Sequence, residues 1–209
     1  MKKSFKFELT ALAAIFALAV FAGCADKEVR YLGDANRAEA GITMGLDSGD
    51  FQKAAADCVE SLLKSGALDK RGGGRYVVAI DEVVNDTTLH IDTDLLIKKI
   101  RIAMLKSGKA VVTSAIKAGG AESTLTHSVR ELRGDDEVAS STVANKGTIV
   151  APNMGLGGKI IQVNSKAGKD KQIAEYYFQL TLTNLETGLV FWEDEVVVGK
   201  MGPNDSVTW

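Results

Sequence analysis

Residues 171–198 restrict the possible folds more than any other part of the chain. Along KQIAEYYFQLTLT, Tyr176, Phe178, Leu180 and Leu182 alternate with Tyr177, Gln179, Thr181 and Thr183. A period of two belongs to a strand with one buried and one solvated face. The run ends in Asn184-Leu185-Glu186-Thr187-Gly188, which reads as a hairpin turn, and a second apolar strand follows over residues 189–198. A two-stranded hairpin is at best marginally stable alone, so the rest of the chain must supply neighbouring strands and a cover for the apolar face.

The upstream sequence supplies both. Phe51, Ala55, Cys58 and Leu62 recur at spacings of three and four, which predicts an amphipathic helix over residues 51–64, with Asp50 as N-cap and Gly66 as stop. Gly72-Gly73-Gly74 punctuates the chain before RYVVAIDEVV, residues 75–84, whose opening apolar run suits a strand buried on both faces. Asn85-Asp86-Thr87 reads as a turn. Asp92 or Thr93 then caps a helix reaching Ser107, with Leu96, Ile100, Ala103 and Met104 on its apolar side and Gly108 ending it. A short strand follows over residues 110–116. Strand, helix and strand with short connections predict a right-handed parallel crossover. A further helix is expected over residues 122–133, with Leu125, Val129 and Leu132 on one side, and a short one from Asp135-Asp136-Glu137. Beyond Pro152 a strand over residues 156–164 leads into the hairpin, and the tail ends in Trp209, expected to pack back on the domain. The order implies an α/β fold with a mixed sheet and helices against it.

The N-terminus reads as an address. Lys2, Lys3 and Lys6 precede an almost unbroken apolar run over residues 9–22, shorter than the ~20 residues of a membrane-spanning helix. Small residues close the run, and Cys24 follows Gly23 at once. Phe21-Ala22-Gly23-Cys24 resembles the lipobox of bacterial lipoproteins, with Phe21 where Leu is usual. The expected layout is a signal peptide over residues 1–23 cleaved between Gly23 and Cys24, a lipidated Cys24 with a short tether over residues 24–50, and a domain over residues 51–209. A diacylglyceryl thioether with an N-acyl chain exceeds the two signals that stable anchoring needs. Ala25, not Asp, follows Cys24, which favours the outer membrane. Residues 1–23 hold three lysines against Glu8, so their removal takes the net charge from −2 to −4.

Composition excludes several classes. At 45% hydrophobic and 25% charged residues the chain is too apolar for disorder, and too near neutrality for a nucleic-acid binder. His90 and His127 are the only histidines, no HExxH or CxxC occurs, and neither a metal nor a small-molecule cofactor is expected. Gly155-Leu156-Gly157-Gly158-Lys159 lacks phosphate-loop spacing and leads into a strand, so it reads as a turn or bulge. Glu193-Asp194-Glu195 would place neighbours on opposite faces of a strand. It therefore does not make the carboxylate pair of a glycosidase and reads as a solvated strand end. Cys58, on the apolar stripe of its helix, reads as a small buried hydrophobe. Nothing positive points to an enzyme.

Three segments carry a resemblance. VNDTTLHIDTDLLIKKIRIAMLKSGKAVV (84–112), KGTIVAPNMGLGGKIIQV (146–163) and EYYFQLTLTNLETGLVFWEDE (175–195) resemble the LpoB family, lipoprotein activators of penicillin-binding proteins. The resemblance implies a three-layer α/β domain similar to the TolB N-terminal domain. It also implies docking onto a peptidoglycan synthase, the penicillin-binding protein partner, from a lipid anchor in the outer membrane. No catalytic residue, nucleic acid or small-molecule substrate belongs to such a protein. The alternative is a structural or assembly lipoprotein of an envelope or secretion complex. No short motif fixes the partner contacts; the open face of the last two strands, expected to be uncharged, and the turn over residues 85–92 are the places to look. The chain departs from enterobacterial members in its tether, which is short and free of Pro; as a flexible coil it spans roughly 30 Å.

Overall fold

The computed structural model describes residues 42–116 and 123–206. The N-terminal apolar run, Gly23, Cys24 and Trp209 lie outside them. The chain divides after Ile42, and the unit from Thr43 onward is the one described below. Its elements are α1 (Ser48–Ser65), β1 (Tyr76–Asp86), α2 (Asp94–Ser107), β2 (Ala110–Val112), α3 (Thr124–Glu131), β3 (Met154–Ala167), β4 (Lys171–Asn184) and β5 (Val190–Pro203). The strands form one sheet in the order β2-β1-β3-β4-β5. β1 pairs in parallel with β2 and β3, and β3-β4-β5 is an antiparallel meander. This is the mixed α/β sheet expected from the element order.

The hairpin behaves as its alternation demands. Ala174, Tyr176, Phe178, Leu180 and Leu182 are buried, while Tyr177, Gln179, Thr181 and Thr183 stay half-exposed. Register places Val78, Leu156, Leu182 and Trp192 on the same side of the sheet, where one continuous core joins them to α1 and α2. Phe51 of α1 meets Phe178 edge-on, with ring centroids 5.9 Å apart. α1 buries Phe51, Ala54, Ala55, Cys58, Val59 and Leu62, and α2 buries Leu96, Ile97, Ile100 and Met104, so the expected faces hold and Ile97 joins them. Both long helices thus cover one face. Among the described residues the other face is roofed only over the β2–β1 end, where a cleft of about 330 Å³ runs between Val77 and Val111 below and Thr126, Arg130 and Val150 above. The described residues make three layers there and two over β3–β5.

Several local expectations shift. The N-cap of α1 is Asp47, not Asp50: Asp47 Oδ1 accepts from Gly49 and Asp50 N–H groups, while Asp50 Oδ2 accepts from Asp47 N–H at 2.8 Å. This is a capping box closed by two aspartates. Residues 43–47, expected in the tether, join the domain: Tyr176 donates its hydroxyl to Met44 O at 2.9 Å and Lys200 Nζ donates to Gly45 O at 2.6 Å. β1 runs through the expected turn to Asp86, and β2 stops at Val112. β1 is buried on successive residues only at Val78, Ala79 and Ile80; its far end is solvated. α3 is one short helix continued by a 3-10 turn at Leu132–Gly134, and Asp135-Asp136-Glu137 starts no helix.

Of the turn or bulge expected at the glycine-rich stretch, the turn fails and a bulge is present, with its extra residue on the neighbouring strand. The stretch lies inside β3 beside β1, where Asp81 and Glu82 bulge opposite the single Gly157. A Cβ on Gly158 would stand 2.6 Å from Gln179 O and 2.5 Å from Leu180 Cδ2, so a bare backbone is needed for β4 to approach.

Candidate interaction surface

The open face of β3–β4–β5 presents ordered rows. Across it Val84, Lys159, Gln179 and Glu195 lie in one row, and Asp86, Ile161, Tyr177 and Val197 in the next. Gly157, Thr181 and Glu193 form a row on one side, and Val163, Glu175 and Gly199 one on the other. Side chains tie the rows across strands. Gln179 Nε2 donates to Glu195 Oε2 at 2.7 Å, Thr181 Oγ1 donates to Glu193 Oε1 at 3.1 Å, and Lys159 Nζ pairs with Asp86 Oδ2 at 2.6 Å. Such cross-strand pairs stabilise a platform of mixed polar and apolar side chains with Tyr177 at its centre.

Apolar groups are exposed among them: Val84 of β1, Val163 of β3 and Val197 of the edge strand β5 are about half accessible. The face is also negative. Lys159 is matched by Asp86, which leaves Glu175, Glu193 and Glu195 in excess. Their field holds the Tyr177 hydroxyl above the ordinary tyrosine range; Glu175 contributes most, then burial, then Glu195. The expectation of an uncharged face thus holds for Tyr177, Gln179, Thr181 and Thr183 of β4 and fails at Glu175 and on β5. The acidic run lies within β5, not at a strand end, with Glu193 and Glu195 on the open face and Asp194 turned the other way.

The β1–α2 loop, the second place singled out from sequence, is tied instead to the helix-covered side of the sheet, where Gln162 lies opposite buried Tyr176. Thr88 donates its backbone N–H and its hydroxyl to Gln162 Oε1 of β3, at 3.1 and 3.0 Å. Asn85 Nδ2 donates to Leu89 O at 2.9 Å, and Leu89 itself is buried. The loop is therefore pinned at both its base and its middle. Period-two reasoning found the β4 row; it missed Val84, Ile161 and Val163, because only the β1 bulge and the β1–β3 register bring them alongside Tyr177.

The other residues weighed for chemistry are dispersed. His90 is exposed in the β1–α2 loop, and His127 on α3 faces Ala115 O at 2.9 Å. Cys58 is buried under α1, and desolvation, with smaller effects of Asp194 and Asp57, pushes its thiol up to about 12. Such a thiol stays protonated and is a poor nucleophile. Among the described residues no group of three His, Cys, Asp or Glu side chains could hold a metal ion, and no helix is long and apolar enough to cross a membrane.

A family model, described as peptidoglycan-synthase activator LpoB, matches residues 50–198. The chain belongs to the LpoB family. Those residues include the platform and nearly all of the helix layer beneath it. Among solved structures the chain is similar to the LpoB C-terminal domain of Salmonella enterica, with 15% identity, a TM-score of 0.43, and coverage of 71% of this chain and 98% of that one. It is similar to the Escherichia coli LpoB C-terminal domain at 16% identity, a TM-score of 0.41, and the same coverages of 71% and 98%. Lipoprotein GNA1162 of Neisseria meningitidis is also similar, at 10% identity and a TM-score of 0.34, over 64% of this chain and 87% of that one. No curated protein matches the sequence.

Proposed function

We propose that this protein is a lipid-anchored envelope lipoprotein that binds a penicillin-binding protein and stimulates its peptidoglycan synthesis. The observation that carries the reading is the family match over residues 50–198. The anchor is Cys24 after cleavage at Gly23, and the location is the periplasmic face of the outer membrane. Activation needs no chemistry from the activator. It needs tighter binding to the active conformation of the synthase than to the inactive one, and the stimulation cannot exceed that difference in affinity.

The docking surface in this reading is the β3–β4–β5 platform. Its central tyrosine with exposed valines nearby supplies the kind of side chain enriched at protein interfaces. Its excess of carboxylates fits a synthase patch carrying lysine or arginine around an apolar centre. Glycan polymerisation by purified synthases of the same organism, measured with and without this protein, tests the reading. A rate increase is expected. No stimulation of any of these synthases overturns it. Tyr177→Ala should weaken stimulation about tenfold or more if Tyr177 is a central anchor.

A further inference from the structure

The outward face of α2 differs from that of its neighbour. On α1 the solvent-side charges cancel: Lys53 pairs with Asp57 at 3.0 Å, and Lys64 pairs with Glu60. On α2, at about 100° per residue, Leu95, Lys98, Lys99, Ile102, Leu105 and Lys106 fall within about 120° of arc. This is the side away from the buried Leu96, Ile97, Ile100 and Met104. Leu95, Ile102 and Leu105 are 37%, 40% and 49% exposed. The lysines in ion pairs among the described residues are Lys53, Lys64, Lys109, Lys159 and Lys200, so Lys98, Lys99 and Lys106 stand without an acidic partner there. Arg101 adds a fourth positive charge at the flank, against the single acid Asp94.

An apolar side chain in water beside every unpaired cation is an unusual outer surface for a helix whose other face already satisfies the core. We propose that this face of α2 lies on an anionic phospholipid surface, with the lysines at headgroup phosphates and Leu95, Ile102 and Leu105 among the headgroups. Buried apolar area and attraction of basic side chains to anionic lipid are the two terms that hold a helix at a membrane interface, and this face offers both. Basic residues near an anionic leaflet each add attraction of about fivefold. Lysine is a point charge without the directional fork of arginine, which suits a fluid array of phosphates better than one fixed carboxylate. The clefts at Asn164, Gln172 and Asn204 and at Tyr76 and Phe191 are lined by other elements. The platform lies on the opposite side of the sheet and stays free. The proposal draws on the anchored-lipoprotein reading only for the nearness of a membrane.

Lysine acetylation footprinting, read by mass spectrometry, tests it on the full chain. The chain is presented with vesicles of phosphatidylcholine alone or of phosphatidylcholine mixed with phosphatidylglycerol. Lys98, Lys99 and Lys106 should react several-fold more slowly on the anionic vesicles, and salt should abolish the difference. Lys169 and Lys171, at the β3–β4 turn, should react equally on both. The exposed double variant Ile102→Ser/Leu105→Ser should lose most of the protection while unfolding at the wild-type midpoint. Equal rates on both vesicles overturn the proposal. So does equal shielding of Lys169, or protection that appears only when an acidic envelope protein is added. Synthase stimulation assayed in detergent without vesicles reads the activator function separately, so failure of one leaves the other visible.

Discussion

Lys200 shows how much a single side chain can hold. It sits on the edge strand β5 yet points inward, with its side chain 6% exposed. Its ammonium meets Asp50 Oδ2 and Gly45 O, each at 2.6 Å, with Asp47 Oδ2 at 3.9 Å. A buried lysine needs such compensation, and removing one member of a buried pair leaves the other charge stranded. Lys200→Met keeps the stem but strands Asp50 beside the α1 N-terminus; the variant should lose about 3 kcal/mol in urea unfolding. Cys58 gives a second test. Its folded pKa, about 12, lies above the ordinary 9.0. The native state therefore keeps a proton that the unfolded chain gives up. The resulting stabilisation is complete below pH 9 and is lost as pH rises from 9 toward 12. Cys58→Ala lacks this dependence. Its stability deficit against wild type should shrink by about 1 kcal/mol between pH 9 and 10 in reducing buffer, and a constant deficit would refute the burial effect. None of this was legible at Lys200, because sequence shows a lysine in a strand and not the carboxylates some 150 residues away. At Cys58 it was legible, because helical spacing alone placed the thiol on the apolar stripe.

Among the elements, legibility followed the range of the forces involved. The β4–β5 hairpin was readable because alternation, turn residues and pairing all lie within about thirty residues. α1 was readable in its face but not in its start: Asp47 and Asp50 are both good caps, and the reciprocal bonds between them use both. The amphipathic pattern of α3 was real, yet Leu125 is 72% exposed and Val129 42%; periodicity reports an apolar side and not whether the fold covers it. Gly155–Lys159 misled most, since glycines in isolation signal a turn. Here they serve a strand crowded by β1 and β4, and the bulge that explains Gly157 lies on β1, about seventy-five residues earlier. Two neighbouring glycines can separate these roles. Gly158→Ala puts a Cβ against Gln179 O and Leu180, and should destabilise by about 2–3 kcal/mol. Gly157→Ala meets nothing nearer than Asp81 Cβ at 3.9 Å, and should change stability by less than about 1 kcal/mol. Thermal unfolding of both variants decides whether the glycines serve close packing or merely flexibility, since flexibility alone would make the two costs equal.

At the scale of the molecule, charge is sorted by the sheet. The platform side carries Glu175, Glu193 and Glu195 beyond the Lys159–Asp86 pair, and the outward face of α2 carries Lys98, Lys99 and Lys106 without partners among the described residues. A net charge of −2 conceals this, because opposite excesses cancel in the sum. The long edge strand fits the same scheme. β5 is kept from pairing with other chains by Glu193 and Glu195 outside, the inward Lys200, and Asp194, whose carboxylate accepts from the Glu195 N–H at 2.8 Å. Those are the devices by which natural sheets guard an edge, so docking is expected on the face of the sheet rather than along its rim. Two surfaces on opposite sides of one layer can be altered independently when no shared side chain links them. Glu193→Lys/Glu195→Lys should lower synthase stimulation at least tenfold in detergent, become less sensitive to salt, and leave lysine protection on anionic vesicles intact. Lys98→Glu/Lys99→Glu should do the reverse, abolishing protection at Lys106 while stimulation in detergent stays at the wild-type level. Glu193, Glu195 and Lys98 are exposed and Lys99 half-exposed, and Glu193 and Glu195 each lose one cross-strand hydrogen bond, so each variant should unfold within about 1–2 kcal/mol of wild type. If either double variant damages both activities while keeping that stability, the two faces are not separate, and the sheet does not divide the molecule as its charges suggest.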